Sequence, residues 1–437
     1  MKLIQETTDM LLDNVVFKAV TGEDDNSFVG IKLNDGKVYF CYPDFYFMPS
    51  PPSKKNLLDI LRSISFAKTY VFEKEKEKEH NSSEFSATSC LSSCEWIIGD
   101  YIKNGFPIYR EKQSDLNLSG KIDWRKTLKL QPILSNNQVI YPKFYKVVKR
   151  RGYHIFLDAY KYCLKCALTI IGWIYGISPN IIELPISSNS TKYQYLSAIR
   201  HLLYKTYNDD NQNRLHHMEN ILLDLKELNE NSNFVYGVSQ YYYVYESMID
   251  VMFGSIHGAD KKDYNPKFNW HLRYSPISYQ KQDAATLRPD SILKCNEDNS
   301  ILIIDSKYYR YGIYENYGQS KGLPGAESLT KQKLYGEFVT NKFNQSAPDL
   351  KVFNAFILPF NSHGLKTSKI SNQGEDNFIY VGFASPDNDS NRTSTYSNIY
   401  TFCIDLKYLI ENYFVKDEQV KMREKLKIMI KDAFEHS

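Results

Sequence analysis

Arg288-Pro289-Asp290-Ser291-Ile292-Leu293 and, after a polar interval, Ile301-Leu302-Ile303-Ile304-Asp305-Ser306-Lys307 decide the fold of this chain. Both read as strands, because short apolar runs of branched residues bounded by turn-forming residues favour extended backbone. The interval Lys294-Cys295-Asn296-Glu297-Asp298-Asn299-Ser300 carries Asn and Asp residues that tolerate the tight backbone of a turn, so the two runs form a hairpin. Side chains alternate along a strand, which puts Asp305 and Lys307 on one face and turns Ser306 away. Asp290, on the neighbouring strand, reaches the same point.

Two carboxylates beside an ammonium make a hard oxygen site for a divalent cation next to a group that positions water. Asp290 and Asp305 are the expected ligands, with the Ser306 carbonyl as a third, and Lys307 offsets developing negative charge. The spelling Pro289-Asp290 followed by Asp305-Ser306-Lys307 resembles the PD-(D/E)XK nuclease superfamily. A second pair, Pro386-Asp387 with Asp405-Leu406-Lys407, has nearly the same spacing. Its first member opens the loop-like Asn388-Asp389-Ser390-Asn391. Asp405 stands where an N-cap would start a helix from Leu406 to Phe414. The first pair is therefore preferred, with the second kept as its competitor.

Upstream, the stretch Phe234 to Gly254 reads as one apolar, helix-like segment with Glu246 set into it and a glycine at its stop. A lone acid among so much apolar surface is costly unless paired or bound to metal. The resemblance implies a metal-proximal role for Glu246. Downstream, Gly325 to Phe338 reads as a capped helix with Lys331, Gln332 and Tyr335 on one side. The resemblance implies that the Gln332 amide touches the active site or the DNA backbone. Taken singly, Glu246 is equally a solvated helix residue and Gln332 a surface amide.

The length allows two or three domains with real cores, and 42% hydrophobic against 24% charged residues is ordinary for a folded globular chain. A net charge of +3 does not identify a polyanion binder, so any DNA surface rests on local clustering of cations. The richest cluster runs through Arg125 in Gly120 to Thr127 and then Lys143, Lys146, Lys149, Arg150 and Arg151, with Lys331 added from the later helix. Phosphate contact there competes with a plain solvated strand. No leader-like apolar segment opens the sequence, and Asp158, Lys161 and Lys165 interrupt the longest apolar helix, Ile155 to Ile177. Seven cysteines without a secretion signal point to reduced thiols in a cytosol. Cys163 and Cys166 share the packing face of that helix, and a zinc site with Cys90 and Cys94 is the minority reading.

Along the chain, Asn34-Asp35-Gly36 joins two alternating runs in a hairpin. Helices are expected over Leu57 to Phe72, Cys94 to Gly105, Lys192 to Tyr207, Arg214 to Asn229 and Asp417 to Phe434, with a plain loop at Asn208 to Asn213. Strands are expected over Lys351 to Pro359 and Phe378 to Ala384. The fold class is α/β of the mixed α+β kind. Residues 1 to 230 form an N-terminal α+β recognition region, helical in its second half, and residues 231 to 437 form a nuclease domain with a mixed sheet flanked by helices.

Val29-Gly30, Gly120 to Thr127, Glu246, Arg288-Pro289-Asp290, Asp305 to Tyr309 and Lys331 to Tyr335 together resemble the LlaJI-type restriction endonucleases. That likeness implies a Mg2+-dependent enzyme that cuts duplex DNA at a short sequence, leaves a 5′ phosphate and a 3′ hydroxyl, and acts as a homodimer or transient dimer. A cognate methyltransferase would share the system without stable contact, and no membrane is involved. Two alternatives stay open. The same motifs resemble McrC-like subunits that act with a GTPase partner, and this chain has no phosphate-binding Gly-rich loop of its own. The other is an inactive DNA-binding module.

Overall fold

The computed structural model describes residues 15–20, 28–34, 37–75, 91–107, 110–116, 120–136, 138–151, 154–183, 192–204, 206, 209–224, 234–275, 278–311, 322–363, 376–386 and 394–436. The chain forms two compact units that interleave in sequence: residues 88–232 make one, and 15–87 join 233–437 in the other. Residues 15–87 belong with the C-terminal half because their strands and helix find hydrogen-bonding and packing partners there.

In that discontinuous unit, β1 (Val15–Val20), β2 (Val29–Asn34) and β3 (Lys37–Pro43) precede the helix α1 (Lys54–Glu75). β2 and β3 are the hairpin expected from Asp35-Gly36, with Asn34 paired to Lys37 across the turn. β1 lies parallel to β3 on the other side.

The chain then builds the other unit. Its helices are α2 (Leu91–Asn104), the short α3 (Trp124–Thr127), α4 (His154–Ile171), α5 (Lys192–Leu203) and α6 (Asp209–Asp224). Its strands are β4 (Arg110–Asp115), β5 (Lys121–Ile122), β6 (Ile133–Ser135), β7 (Gln138–Ile140) and β8 (Lys146–Arg151). β8 runs between β4 and β5, antiparallel to both. The expected loop at Asn208 to Asn213 is corrected: α6 starts at Asp209, because Asp209 and Asp210 in its first turn complement the positive end of the helix. Cys163 and Cys166 are buried in the core on α4, as free thiols, and Cys90 lies outside the described residues.

One buried ion pair organises these helices. Arg214 on α6 donates from Nε and Nη2 to both oxygens of Asp100 on α2, each at 2.8 Å, while Tyr160 on α4 donates its hydroxyl at 2.9 Å. Burial pushes the Asp100 pKa up, but the bonds from Arg214, Asn104 and Tyr160 outweigh it and hold the carboxyl below its ordinary range.

The remaining elements complete the discontinuous unit. β9 (Phe234–Val238) pairs with β2, giving a four-stranded sheet of order β1-β3-β2-β9, and α7 (Tyr242–Phe253) follows. The stretch expected as one helix from Phe234 is thus a strand and a shorter helix. Phe234, Val235 and Val238 suit the edge of a sheet better than a helix, and β2 offers them a partner. β10 (Lys267–Ser275) and β11 (Ser278–Thr286) make a two-stranded ribbon. β12 (Ser291–Cys295) and β13 (Ser300–Ser306) form the expected hairpin, with α8 (Ala326–Phe343) crossing over to β14 (Lys351–Phe360). β15 (Phe378–Ala384), β16 (Ile399–Asp405), α9 (Leu406–Asn412) and α10 (Lys416–Glu435) complete it.

These strands form a mixed sheet of order β12-β13-β14-β16-β15, parallel across β13, β14 and β16 and antiparallel at both edges. The parallel strands are apolar runs buried along nearly their whole length, as strands covered on both faces must be. α7 packs on the β12–β13 hairpin and also against α1 and α10. α8 covers β13 and β14, and Gly336 allows the close approach: a Cβ there would stand 2.5 Å from Asn354 Nδ2. Among the described residues no helix is long and apolar enough to cross a membrane.

Replacing Arg214 by alanine strands Asp100 as an unpaired buried charge. The unfolding transition of the unit spanning residues 88–232, followed by denaturant titration, is expected to lose about 3–5 kcal/mol.

Candidate active site

The ladder between β12 and β13 pairs Ser291 with Ile304 and Ile292 with Ile303. One further step of that register sets Asp290 opposite Asp305. The backbone N–H of Ser306 donates to Asp290 Oδ2 at 2.7 Å, which locks the carboxylate over the end of β13. Lys307 Nζ forms an ion pair with Asp305 Oδ2, and its own N–H donates to the Ile357 carbonyl at 3.0 Å. Asp290, Asp305 and Lys307 therefore meet as the strand alternation requires.

The electrostatics are those of crowded acids. Burial, then the charges of Asp305 and Glu246, push the Asp290 pKa far above the ordinary carboxylate range. Burial alone would lower the Lys307 pKa, but Asp305 and Asp290 outweigh it and the net shift is upward, so this side chain stays an ammonium. Asp305 is 2% exposed, and its Oδ1 is buried without a hydrogen-bond donor. An orphaned buried carboxylate oxygen on a residue whose charge bears on a second buried carboxylate is a costly arrangement for a folded chain by itself. An all-oxygen donor set of this kind fits a hard divalent cation.

Glu246 is half-buried on α7, close enough for its charge to bear on Asp290. It does not complete a compact ligand cluster: among the described residues no three His, Cys, Asp or Glu side chains converge on one point in metal-holding fashion. Gln332 on α8 is fully buried. Its Nε2 donates to the Ile303 carbonyl at 2.8 Å, while its Oε1 has no donor. The amide thus grips the backbone of the strand that carries Asp305. Lys331 lies with its Nζ 5.7 Å from the Tyr335 ring centroid.

Further side chains support the site, and the roles of Lys261, Asp250 and Tyr70 escaped sequence reasoning. Lys261 donates to the Asp290 carbonyl and pairs with Asp250 on α7 at 3.4 Å, and Tyr70 on α1 donates to the other Asp250 oxygen at 2.6 Å. Tyr335 donates to the Arg288 carbonyl at 2.7 Å and so fixes the backbone entering Asp290. Tyr308, next to Lys307, is packed among Phe45, Tyr241 and Tyr245, with ring centroids 5.1, 6.0 and 5.5 Å away. Asp250, an acid buried in an apolar helix, was the available signal for the first of these.

The competing pair resolves differently. Both oxygens of Asp405 are occupied by backbone amides, from Tyr408 at 2.8 Å and Ser362 at 2.9 Å, so the residue caps α9 as its position suggests. Asp387 lies outside the described residues.

The basic cluster falls in the unit spanning residues 88–232. Arg125 is exposed on α3, Lys143 is exposed in the loop after β7, and Lys146 is half-buried on β8, which also carries Lys149, Arg150 and Arg151. Lys143 and Lys146 line an open depression of about 410 Å³ with Asp115 and Phe144. Asp123, in the motif before α3, accepts from Lys126 N at 3.2 Å as a cap and from the Ser114 hydroxyl. His217, in the His216-His217 pair, stacks on Trp96, with 4.5 Å between ring centroids, and its Nδ1 lies 3.1 Å from Ser93 Oγ.

Comparison with known proteins adds three findings. A relative from Bacillus subtilis (strain 168), the type II restriction enzyme BsuMI component YdjA, is 26% identical over 384 residues, covering 84% of this chain and 79% of that protein. A solved assembly of Thermococcus gammatolerans McrB AAA+ hexamers with bound McrC contains a chain matched at TM-score 0.40 and 11% identity, over 92% of this chain and 82% of that one. The family model of the LlaJI restriction endonucleases matches residues 28–384, a span that includes Glu246, Asp290, Asp305, Lys307 and Gln332. This chain belongs to the LlaJI restriction endonuclease family.

Proposed function

We propose that the protein is a Mg2+-dependent endonuclease that hydrolyses phosphodiesters in duplex DNA at a specific sequence, leaving a 5′ phosphate and a 3′ hydroxyl. The observation that carries the reading is the buried, donorless Oδ1 of Asp305 opposite Asp290, beside a lysine held as an ammonium. Asp290, Asp305 and the Ser306 carbonyl would hold the ion, with Glu246 joining through a rotamer change or a bridging water. When bound, Mg2+ withdraws charge from the phosphoryl oxygens and lowers the pKa of the attacking water.

The chain's own residues do the rest. Lys307, an ammonium paired with Asp305, is a hydrogen-bond donor and cation for the phosphate or the incoming water. The Ser306 N–H and the Lys261 ammonium hold Asp290 from opposite ends, one at its carboxylate and one at its carbonyl. Gln332 fixes the strand bearing Asp305 and acts through position. The cations of α3 and β8 make the unit spanning residues 88–232 the proposed recognition part. Because the Bacillus relative bears the name of an enzyme component, a second reading has this chain working with a further subunit.

Purified protein incubated with plasmid is expected to cut it in Mg2+ and to stop when EDTA is added. Asp290→Asn and Lys307→Ala are each expected to lose at least about 10²-fold in rate with the circular dichroism spectrum unchanged. Failure of the wild type to cut under any salt or partner condition would favour an inactive module. Without DNA, Mg2+ is expected to raise the melting temperature of the wild type, since a ligand bound only by the folded state stabilises it by mass action. Asp305→Asn should abolish that rise. Asp405→Ala, by contrast, is expected to cost about 1–2 kcal/mol of stability through its lost cap while cleavage per folded molecule stays unchanged.

A further inference from the structure

The ribbon of β10 and β11 stands apart from every other sheet of its unit. Among the described residues its strands pair only with each other, and the side chains of residues 267–273 and 278–282 are all exposed. A two-stranded hairpin with its side chains exposed over most of its length is marginally stable in water, so a nine-residue ribbon of this kind suits a partner that lies along it.

Its two faces differ. His271 pairs with Lys281 and Arg273 with Tyr279, and paired residues share a face, so these four side chains lie together with Lys267. The opposite face carries Trp270 and Leu272, which pair with Gln282 and Gln280. Along its whole length the ribbon holds Lys267, Arg273, Lys281 and His271 against one acid, Asp283. That balance selects a polyanion.

Position selects which one. At its base Lys267 pairs with Thr286, and the Leu287 N–H donates to the Pro266 carbonyl at 2.9 Å. Only Leu287, Arg288 and Pro289 then separate the ribbon from Asp290, and exposed Arg288 continues the line of cations to the site. Nine residues of strand reach about 30 Å, more than a duplex diameter, and a major groove about 12 Å wide admits a two-stranded ribbon.

We propose that the β10–β11 ribbon is a DNA-gripping arm whose basic face, Lys267, His271, Arg273 and Lys281, lies on the phosphates flanking the bond presented to Asp290 and Asp305. This rests on the nuclease reading above. It assigns a DNA contact to the cutting unit itself, separate from the cations of β8.

The test uses the full chain and a fluorescein-labelled duplex in EDTA, with anisotropy read across a salt series, alongside plasmid cleavage in Mg2+. Lys267→Ala/Lys281→Ala is expected to weaken binding by about tenfold or more at low salt. It should also flatten the dependence of log affinity on log salt by about 2, one step of roughly 0.9 for each phosphate no longer neutralised. Trp270→Ser should bind within about twofold of wild type. Wild-type binding and slope in the double variant would overturn the proposal while leaving the nuclease reading intact if plasmid is still cut. Loss of binding in Trp270→Ser with the double variant unchanged would place the DNA on the apolar face of the ribbon and would also overturn it. A wild type that binds through the ribbon without cutting would overturn the nuclease reading only, and one that neither binds nor cuts would overturn both.

Discussion

The register of one antiparallel pair governs this protein. Because Ser291 faces Ile304, Asp290 faces Asp305, and the Ser306 amide falls under the Asp290 carboxylate. A slip by one residue would carry Asp305 to the other side of the sheet and leave Asp290 facing an apolar side chain. The burial of Ile292, Ile301 and Ile303 in one apolar cluster with Tyr335 and Val339 resists that slip, since it would take the isoleucines of the slipped strand out of that cluster. The same burial that sets the register desolvates the carboxylates and crowds their charges. The apolar core and the acidic site are thus two consequences of one strand pairing.

Holding such a site open requires support from both covering layers. From one side α8 comes close through Gly336, grips the β13 backbone with Gln332 and the entry to Asp290 with Tyr335. From the other, α7 supplies Asp250, which through Lys261 reaches the Asp290 carbonyl, and Tyr241 and Tyr245 frame Tyr308 beside Lys307. The C-terminus of α7 is itself fixed by Arg423 of α10, which donates to the carbonyls of Val251, Met252 and Gly254. A cation on these last carbonyls satisfies orphan acceptors and complements the negative end of the helix.

Chemically similar sequence words acquire different meanings through their surroundings. Asp305 and Asp405 both end apolar strands and both precede a residue and a lysine. Asp405 meets two backbone amides and becomes a cap, whereas Asp305 keeps one buried oxygen without a donor. The difference lies in the backbone beyond each strand, which turns into a helix after Asp405 and stays extended through Lys307 after Asp305.

Local patterning determined the β12–β13 hairpin, the hairpin at Asp35-Gly36, the long amphipathic helices and the capping role of Asp405, because turn chemistry and apolar periodicity act over a few residues. The β10–β11 ribbon also carried a local signal, the period-two alternation of Trp270 and Leu272 with His271 and Arg273, but no apolar run marked it as a strand. The β-favouring side chains of Phe234 to Val238 run on into an apolar helix, and the pairing with β2 set the boundary. The joining of residues 15–87 to the C-terminal half, the grip of Gln332 on Ile303 and the Asp250–Lys261 link belong to the tertiary structure alone. They join residues distant in sequence, and only the free energy of the packed state selects such contacts.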